Sequence, residues 1–289
     1  MFKGSFVAIV TPFKGGKIDY KKFRELVEFQ IKNGTDGIVP AGCTGEAATL
    51  GHEEQKRLIK FTCEIVNKRV SVIGGAGSNS TAEAISLTKH AKKAGCDGVL
   101  SITPYYNKPT PEGQFRHYRA IAKSVDVPVM VYNVPSRTGI SIKPETVTRL
   151  SKIDNIVAIK EASGSLDQVS QILSMCDITV LSGDDSLTLP MMAVGAKGVV
   201  SVVANIVPLE VHDMVSCFLE GDVERARDLH YRILPLCKAM FIETNPIPVK
   251  TSMKMLRRLN GELRLPLCGM EKENEAKLKK ALKNYGLLK

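Results

Sequence analysis

The sequence predicts an α/β chain folded as a (β/α)8 barrel with a C-terminal helical appendage. Three observations predict it. Short apolar runs alternate with longer amphipathic runs about eight times, the number that closes a parallel barrel. The apolar runs are nearly continuous, as strands buried on both faces require. No G-x-G-x-x-G follows the first strand, which disfavours the doubly wound open sheet that shares the same alternation.

The first strand is expected over residues 6–10. A helix over 19–33 follows, with Phe23, Leu26, Val27 and Ile31 at helical spacing, Asp19 as N-cap and Gly34 as the stop. The second strand covers 37–41 and its helix 52–68. A third strand at 70–73 leads to a helix over 81–94, opened by Ser80 with Glu83 three residues on, the pattern of a capping box. Gly74-Gly75-Ala76-Gly77 lacks the third glycine of a dinucleotide fingerprint and reads as a strand-end turn. Strands at 98–103, 129–132, 156–160, 178–181 and 199–203 complete the set. Helices at 114–124, 144–151, 166–175, 187–194 and 209–219 lie between or after them. Beyond residue 222 no strand appears, and helices are expected at 224–241, 248–259 and 271–282. The barrel is therefore assigned to 1–222 and the helical region packed on it to 223–289.

Composition narrows the class. At 289 residues with 44% hydrophobic and 24% charged residues, the chain has the make-up of a globular protein with a sizeable core. No apolar run approaches the roughly 18 residues that span a bilayer, so no membrane partner is expected. Residues 1–13 are broken by Lys3, Gly4, Thr11 and Pro12 and do not read as a leader, which places the expected location in the cytoplasm. The cysteines, Cys43, Cys63, Cys96, Cys176, Cys217, Cys237 and Cys268, are odd in number and form no C-x-x-C pair. They predict neither a disulfide framework nor a zinc site; apart from Cys43 they read as small buried hydrophobes. The five histidines are scattered and support no metal site. The net charge of +10 raises nucleic acid as a partner. Basic residues alternate with acids, however, as at Lys272, Glu273, Glu275 and Lys277, so solvated helix faces are the better reading. A positive field also favours anionic small substrates.

A barrel builds its site at the C-terminal ends of its strands, and unusual residues gather there. Lys160 follows four apolar residues, Ile156 to Ile159, in a strand that should be buried. Burial disfavours the ammonium and yields a nucleophilic amine that attacks a ketone; the alternative is a lysine that snorkels to solvent. Glu161 points to the opposite face and is not its partner. Tyr132 ends the fifth strand and is placed to pass protons, or else to pack with its hydroxyl at the rim. Arg137 lies in a proline-started turn, where its fork of donors suits a carboxylate; it reads equally as a surface arginine. The turn Gly42-Cys43-Thr44-Gly45-Glu46 offers N–H groups and a hydroxyl to an anion, or is an ordinary strand-to-helix turn.

Taken together, Gly42 to Glu46, the run Tyr132-Asn133-Val134-Pro135-Ser136-Arg137-Thr138-Gly139 and Ile159-Lys160-Glu161 resemble the dihydrodipicolinate synthase and N-acetylneuraminate lyase superfamily. Ser182 to Asp185 and the tail segment Glu243 to Lys250 extend the resemblance over essentially the whole chain. Arg137, the tail segment and Tyr105 to Pro109 resemble the synthase branch. The resemblance implies a class I aldolase-type lyase of lysine biosynthesis without a separate cofactor. Pyruvate would bind on Thr44, Gly45 and nearby N–H groups and form a Schiff base with Lys160. Its enamine would attack L-aspartate 4-semialdehyde, whose carboxylate rests on Arg137. Tyr132 would move protons, and Gly183 and Val200 would flank the pyruvate. Tyr106 would reach into a neighbouring subunit's site, which implies a homo-oligomer, most often a tetramer. His52, Asn79, Glu83 and Tyr105 match part of an effector site for L-lysine, although Ala47 replaces a serine and Gln55 a histidine or glutamate.

One departure from the family bears on the chemistry. Cys43 stands where a threonine hydroxyl usually links the proton relay. A thiol is a weaker donor and acceptor, so the relay is expected to slow. Two rival readings follow. One is a related pyruvate-dependent lyase acting on sugar acids, which would not need Arg137. The other is a catalytically weak barrel that only binds.

Overall fold

The computed structural model describes residues 2–289; Met1, at the start of the segment read as no leader, lies outside them. Eight parallel strands close into a barrel. They are β1 (Gly4–Ala8), β2 (Gly37–Val39), β3 (Ser71–Gly75), β4 (Gly98–Ile102), β5 (Val129–Asn133), β6 (Ile156–Glu161), β7 (Thr179–Ser182) and β8 (Gly198–Ser201). Each pairs with its sequence neighbours, and β1 closes the ring on β8 through Gly4↔Gly198 to Val7↔Ser201. A small antiparallel hairpin, Phe13–Lys14 with Lys17–Ile18, precedes the first helix.

The strands read as apolar runs because both faces are buried. Phe6, Ala8, Val39, Ile73, Leu100, Met130, Ala158, Leu181 and Val200 fill the barrel interior. Val7, Ile38, Val72, Val99, Val131, Ile159, Val180 and Val199 face the helices. The period of two therefore puts Ala158 and Lys160 on the inner face of β6, and Ile159 and Glu161 on the outer.

The helices start and stop where their caps dictate. The first, α1 (Tyr20–Lys32), opens on Asp19, whose carboxylate accepts from the Lys22 N–H at 3.0 Å. It is followed by α2 (His52–Val66) and α3 (Thr81–Ala94). Ser80 caps α3 by accepting from the Glu83 N–H, but the reciprocal half of the expected capping box is absent. Glu83 instead accepts from the Ser78 hydroxyl at 2.7 Å, and Ser78 takes the Ser80 N–H. Further helices are α4 (Pro111–Ser124), the single turn α5 (Pro135–Thr138), α6 (Pro144–Leu150), α7 (Leu166–Met175), α8 (Thr188–Ala193) and α9 (Pro208–Leu219). Beyond them, α10 (Val223–Ala239), α11 (Ile247–Met255) and α12 (Lys272–Tyr285) contain no strand. No helix among the described residues is long and apolar enough to cross a membrane.

Several expectations are corrected, among them the first two strands: β1 runs Gly4–Ala8 rather than over 6–10, and β2 ends at Val39 rather than at 41. Gly74 and Gly75 belong to β3 rather than to a turn. They remain in register with Val99 and Leu100 because β3 is squeezed between neighbours and needs no side chains there. The last barrel strand ends at Ser201, since residues 203–205 tighten into a 3-10 turn. Cys268 is exposed, not buried, because it lies in the irregular segment before α12, and Cys63 and Cys176, at the C-terminal ends of α2 and α7, are only half-buried.

Candidate active site

Lys160 ends the inner face of β6, beside Tyr132 in the adjacent strand. Its Nζ sits 4.4 Å from the centre of the Tyr132 ring, and the residue is only 5% exposed. Burial pushes its ammonium down to about 8. The neighbouring Cys43, Asp185 and Asp184 oppose that shift, while Arg137 reinforces it. Burial likewise holds the Tyr132 phenol well above its usual range, with the Cys43 thiol acting in the same direction. Gly183, after β7, is required by close approach: a Cβ there would stand 2.9 Å from the Lys160 Cε and 2.6 Å from the Ala162 Cβ.

A cavity of about 390 Å³ opens against Tyr132, lined also by Cys43, Arg137 and Asn245, with Lys160 behind the Tyr132 ring. Thr44 is buried beside it, and its hydroxyl oxygen accepts a 2.9 Å hydrogen bond from the Asn245 side-chain amide. With its oxygen occupied as acceptor, the Thr44 hydroxyl proton is left to be donated. The Asn245 carbonyl oxygen accepts from the Arg137 guanidinium at 2.7 Å. One residue thus fixes both expected carboxylate binders, while the Asn245 Oδ1 is buried without a protein partner. Arg137 uses a single donor in that bond and keeps the rest of its fork for an anion. The turn before α2 is held from behind. Thr11 donates to the Gly45 carbonyl at 2.7 Å, and Glu46, at φ +55°, pairs with Lys250 at 2.6 Å. Both members of that ion pair are fully buried, and Lys250 also donates to the Thr11 carbonyl.

The remaining candidates divide into two groups. Val200 lies in the barrel interior and is fully buried. His52, Glu83 and Tyr105 line the same cavity, with the His52 Nε2 3.8 Å from the Glu83 carboxylate. Asn79 donates to the Tyr105 carbonyl at 3.2 Å. Gln55 also lines the cavity, with its amide nitrogen donating to the Gly75 carbonyl at 2.8 Å. Tyr106 is not brought to this chain's own cavity. Its backbone is left-handed, with φ +66°, and its side chain is 89% exposed.

Residue-by-residue reading missed Asn245, Asp184 and Asp185. Asp185 accepts from the Val202 and Val203 N–H groups at 3.0 and 2.9 Å, joining the ends of β7 and β8. Burial raises the pKa of both aspartates. Glu161, expected on the outer face, is fully buried there. It accepts from Asn133, Gln168 and the Ser163 N–H. The available signal was a pair of acids at a strand end, and an Asn-Pro step where a helix begins.

The family model described as the dihydrodipicolinate synthetase family matches residues 1–285. The chain belongs to this family. Among relatives, it is 59% identical to 4-hydroxy-tetrahydrodipicolinate synthase of Geobacter sulfurreducens, with all of both chains covered. Its fold superposes on the crystal structure of dihydrodipicolinate synthase from Aquifex aeolicus with a TM-score of 0.97 and 50% identity, covering 99% of each chain. The Acinetobacter baumannii dihydrodipicolinate synthase, solved in complex with pyruvate, matches with a TM-score of 0.97 and 42% identity over the full length of both chains. Membership in the dihydrodipicolinate synthetase family favours the synthase reading over the sugar-acid and binding-only alternatives.

Proposed function

We propose that this chain works as a 4-hydroxy-tetrahydrodipicolinate synthase, a lyase that condenses pyruvate with L-aspartate 4-semialdehyde through Lys160. The observation that carries the assignment of Lys160 is an amine buried on the barrel's inner face, shifted to about 8 and set against Tyr132, which itself lines a cavity. The Thr44 hydroxyl, oriented by Asn245, donates to the pyruvate carboxylate. The Lys160 amine attacks the ketone carbon. The Tyr132 phenol, kept protonated by burial, supplies the proton with which the ketone oxygen leaves as water. Loss of a methyl proton converts the imine to an enamine, whose carbon attacks the aldehyde. Arg137 holds the carboxylate of that second substrate. Its amino group then adds to the imine carbon and displaces Lys160, closing the ring. The imine is itself the electron sink, so the step calls on no separate cofactor.

Cys43 lies where protons pass to Tyr132, and Gly183 and Val200 shape the wall around the imine. Tyr106, exposed on one chain, completes the relay in a neighbouring subunit, which makes the active form at least a dimer and the tetramer the expected assembly. L-Lysine is proposed as the effector of the half of the cavity carrying His52, Glu83 and Tyr105, beside Asn79; titrating initial rate with L-lysine tests this. The deciding experiment is borohydride reduction in the presence of pyruvate, followed by peptide mapping. An adduct on Lys160 is expected. Folded protein that reduces without an adduct would overturn the Schiff-base reading.

A further inference from the structure

Cys63 and Cys96 take no part in the site described above. Cys63 lies in the last turn of α2, and Cys96 follows α3 just before β4. Their Sγ atoms stand 3.5 Å apart, a contact between two thiols and not yet a bond. Gly74 of β3 makes the space: a Cβ there would press to 3.2 Å from the Cys96 Sγ. Cys96 is buried, whereas Cys63 is half-buried and open to a small reagent. The Lys68 ammonium is held nearby, donating to the Gly95 carbonyl and to Asp97, each at 2.9 Å.

The two thiols are chemically unequal. The hydrogen bond from Cys96 holds the Cys63 thiol below its ordinary pKa, with the Lys68 charge adding to this against the opposing effects of burial and the Asp97 carboxylate. The Cys96 thiol is pushed up by the same hydrogen bond and by burial. An accessible thiol of lowered pKa within 3.5 Å of a buried thiol of raised pKa is the arrangement of an attacking and a resolving cysteine.

We propose that Cys63 and Cys96 form a redox-active dithiol that closes to a disulfide when a low-molecular-weight disulfide is present. With glutathione disulfide, the Cys63 thiolate attacks one sulfur and the S–S bond breaks. One glutathione thiolate leaves and takes up a proton. Cys96 then loses its proton to solvent and attacks the Cys63 sulfur, expelling the second glutathione. Two protein thiols are oxidised and one glutathione disulfide is reduced to two glutathione thiols. The sulfurs close to the bond length of about 2.05 Å. The turn at Gly95, with φ +94°, lies next to Cys96 and supplies the movement. The pair lies before the N-terminal end of β4, whereas the site residues lie at the C-terminal ends of the strands. The bond therefore ties α2 to the entry of β4 and changes stability rather than turnover.

The test incubates the full-length protein with glutathione disulfide, blocks remaining thiols by alkylation and maps the peptides without reduction. A Cys63–Cys96 cross-linked peptide is expected, together with a raised Tm that dithiothreitol reverses and an unchanged condensation rate. Cys96→Ser, or Cys96→Ala if the serine variant fails to fold, should stop at a glutathione adduct on Cys63. The proposal is overturned if wild-type Cys63 and Cys96 remain fully alkylatable while the exposed Cys268 acquires glutathione. It is overturned equally if wild-type Cys63 keeps its glutathione without resolving.

Discussion

At the scale of single residues, the proposed chemistry turns on how far burial alters Lys160. With a pKa of about 8, about a tenth of the amine is unprotonated at pH 7. An ordinary lysine at about 10.4 offers less than about one part in a thousand. The sign follows: protonation removes the nucleophile, so imine formation with pyruvate should rise with pH through about 8 and level off above it. Tyr132, held well above its usual range, stays protonated across that window and cannot produce the rise. A rate of pyruvate-dependent borohydride trapping that stays flat between pH 6 and 9 would count against an amine titrating there. Cys43 is the second determinant. A hydroxyl aligns a proton better than a thiol, and acid–base catalysis as a whole contributes about 10²–10⁴-fold. Cys43→Thr should therefore raise turnover by several-fold, up to about tenfold, with little change in the KM for pyruvate. An unchanged turnover number would mean that the relay does not pass through this position. Asn245 acts through its neighbours. Asn245→Ala leaves the Thr44 hydroxyl unoriented but keeps the backbone carbonyl that holds Arg137, so the loss should appear mainly as a raised KM for pyruvate. A loss confined to turnover would argue that Asn245 serves the chemistry instead.

At the scale of elements, the site depends on segments far apart in sequence. The turn after β2 carries Cys43 and Thr44, and its conformation is fixed by the Glu46–Lys250 pair from α11. The Arg264 N–H adds a further bond to the same carboxylate at 3.2 Å. Lys250→Met leaves Glu46 buried without its cation, which costs about 3–5 kcal/mol in comparable pairs. A large fall in Tm and in denaturant midpoint is expected, accompanied by weaker pyruvate binding. A variant as stable as the parent would show that the pair does not hold the turn. These long-range ties also mark what the sequence made legible. Alternation of strand and helix was readable because each β-α unit is local, and Lys160 stood out because a charge ended an apolar run. Arg137 was visible in its proline-started turn, which the fold tightens into the single helical turn α5. Asn245 and Lys250 were unreadable because their partners, Thr44 and Glu46, lie about two hundred residues away, and only the closed barrel brings them together. Glu161 was placed on the correct face, yet its amide partners from β5 and α7 emerged only with the packing.

At the scale of the whole molecule, one chain supplies nearly the entire proposed site and leaves one member facing outward. The barrel buries Lys160, Tyr132 and Thr44, and its cavity gathers Cys43, Arg137 and Asn245. Tyr106, 89% exposed, projects into solvent on a strained backbone, with φ +66°. Non-glycine residues hold that conformation where the surroundings over-determine it, and an aromatic ring so displayed is suited to packing against another subunit. The assembly is therefore proposed to be part of catalysis, and complementation separates this from a merely structural dimer. Lys160→Ala removes the nucleophile within its own subunit, and Tyr106→Phe removes a hydroxyl lent to the neighbour. In a mixed dimer of the two variants, the subunit that keeps Lys160 receives Tyr106 from its partner, so one site in two is whole. Co-expressed variants should then recover activity that neither homo-oligomer shows, approaching half the parent rate per mixed dimer. If Tyr106 served its own chain, that subunit would still carry phenylalanine at its site. The mixed dimer would then stay as weak as the Tyr106→Phe protein, and the cross-subunit role would fail.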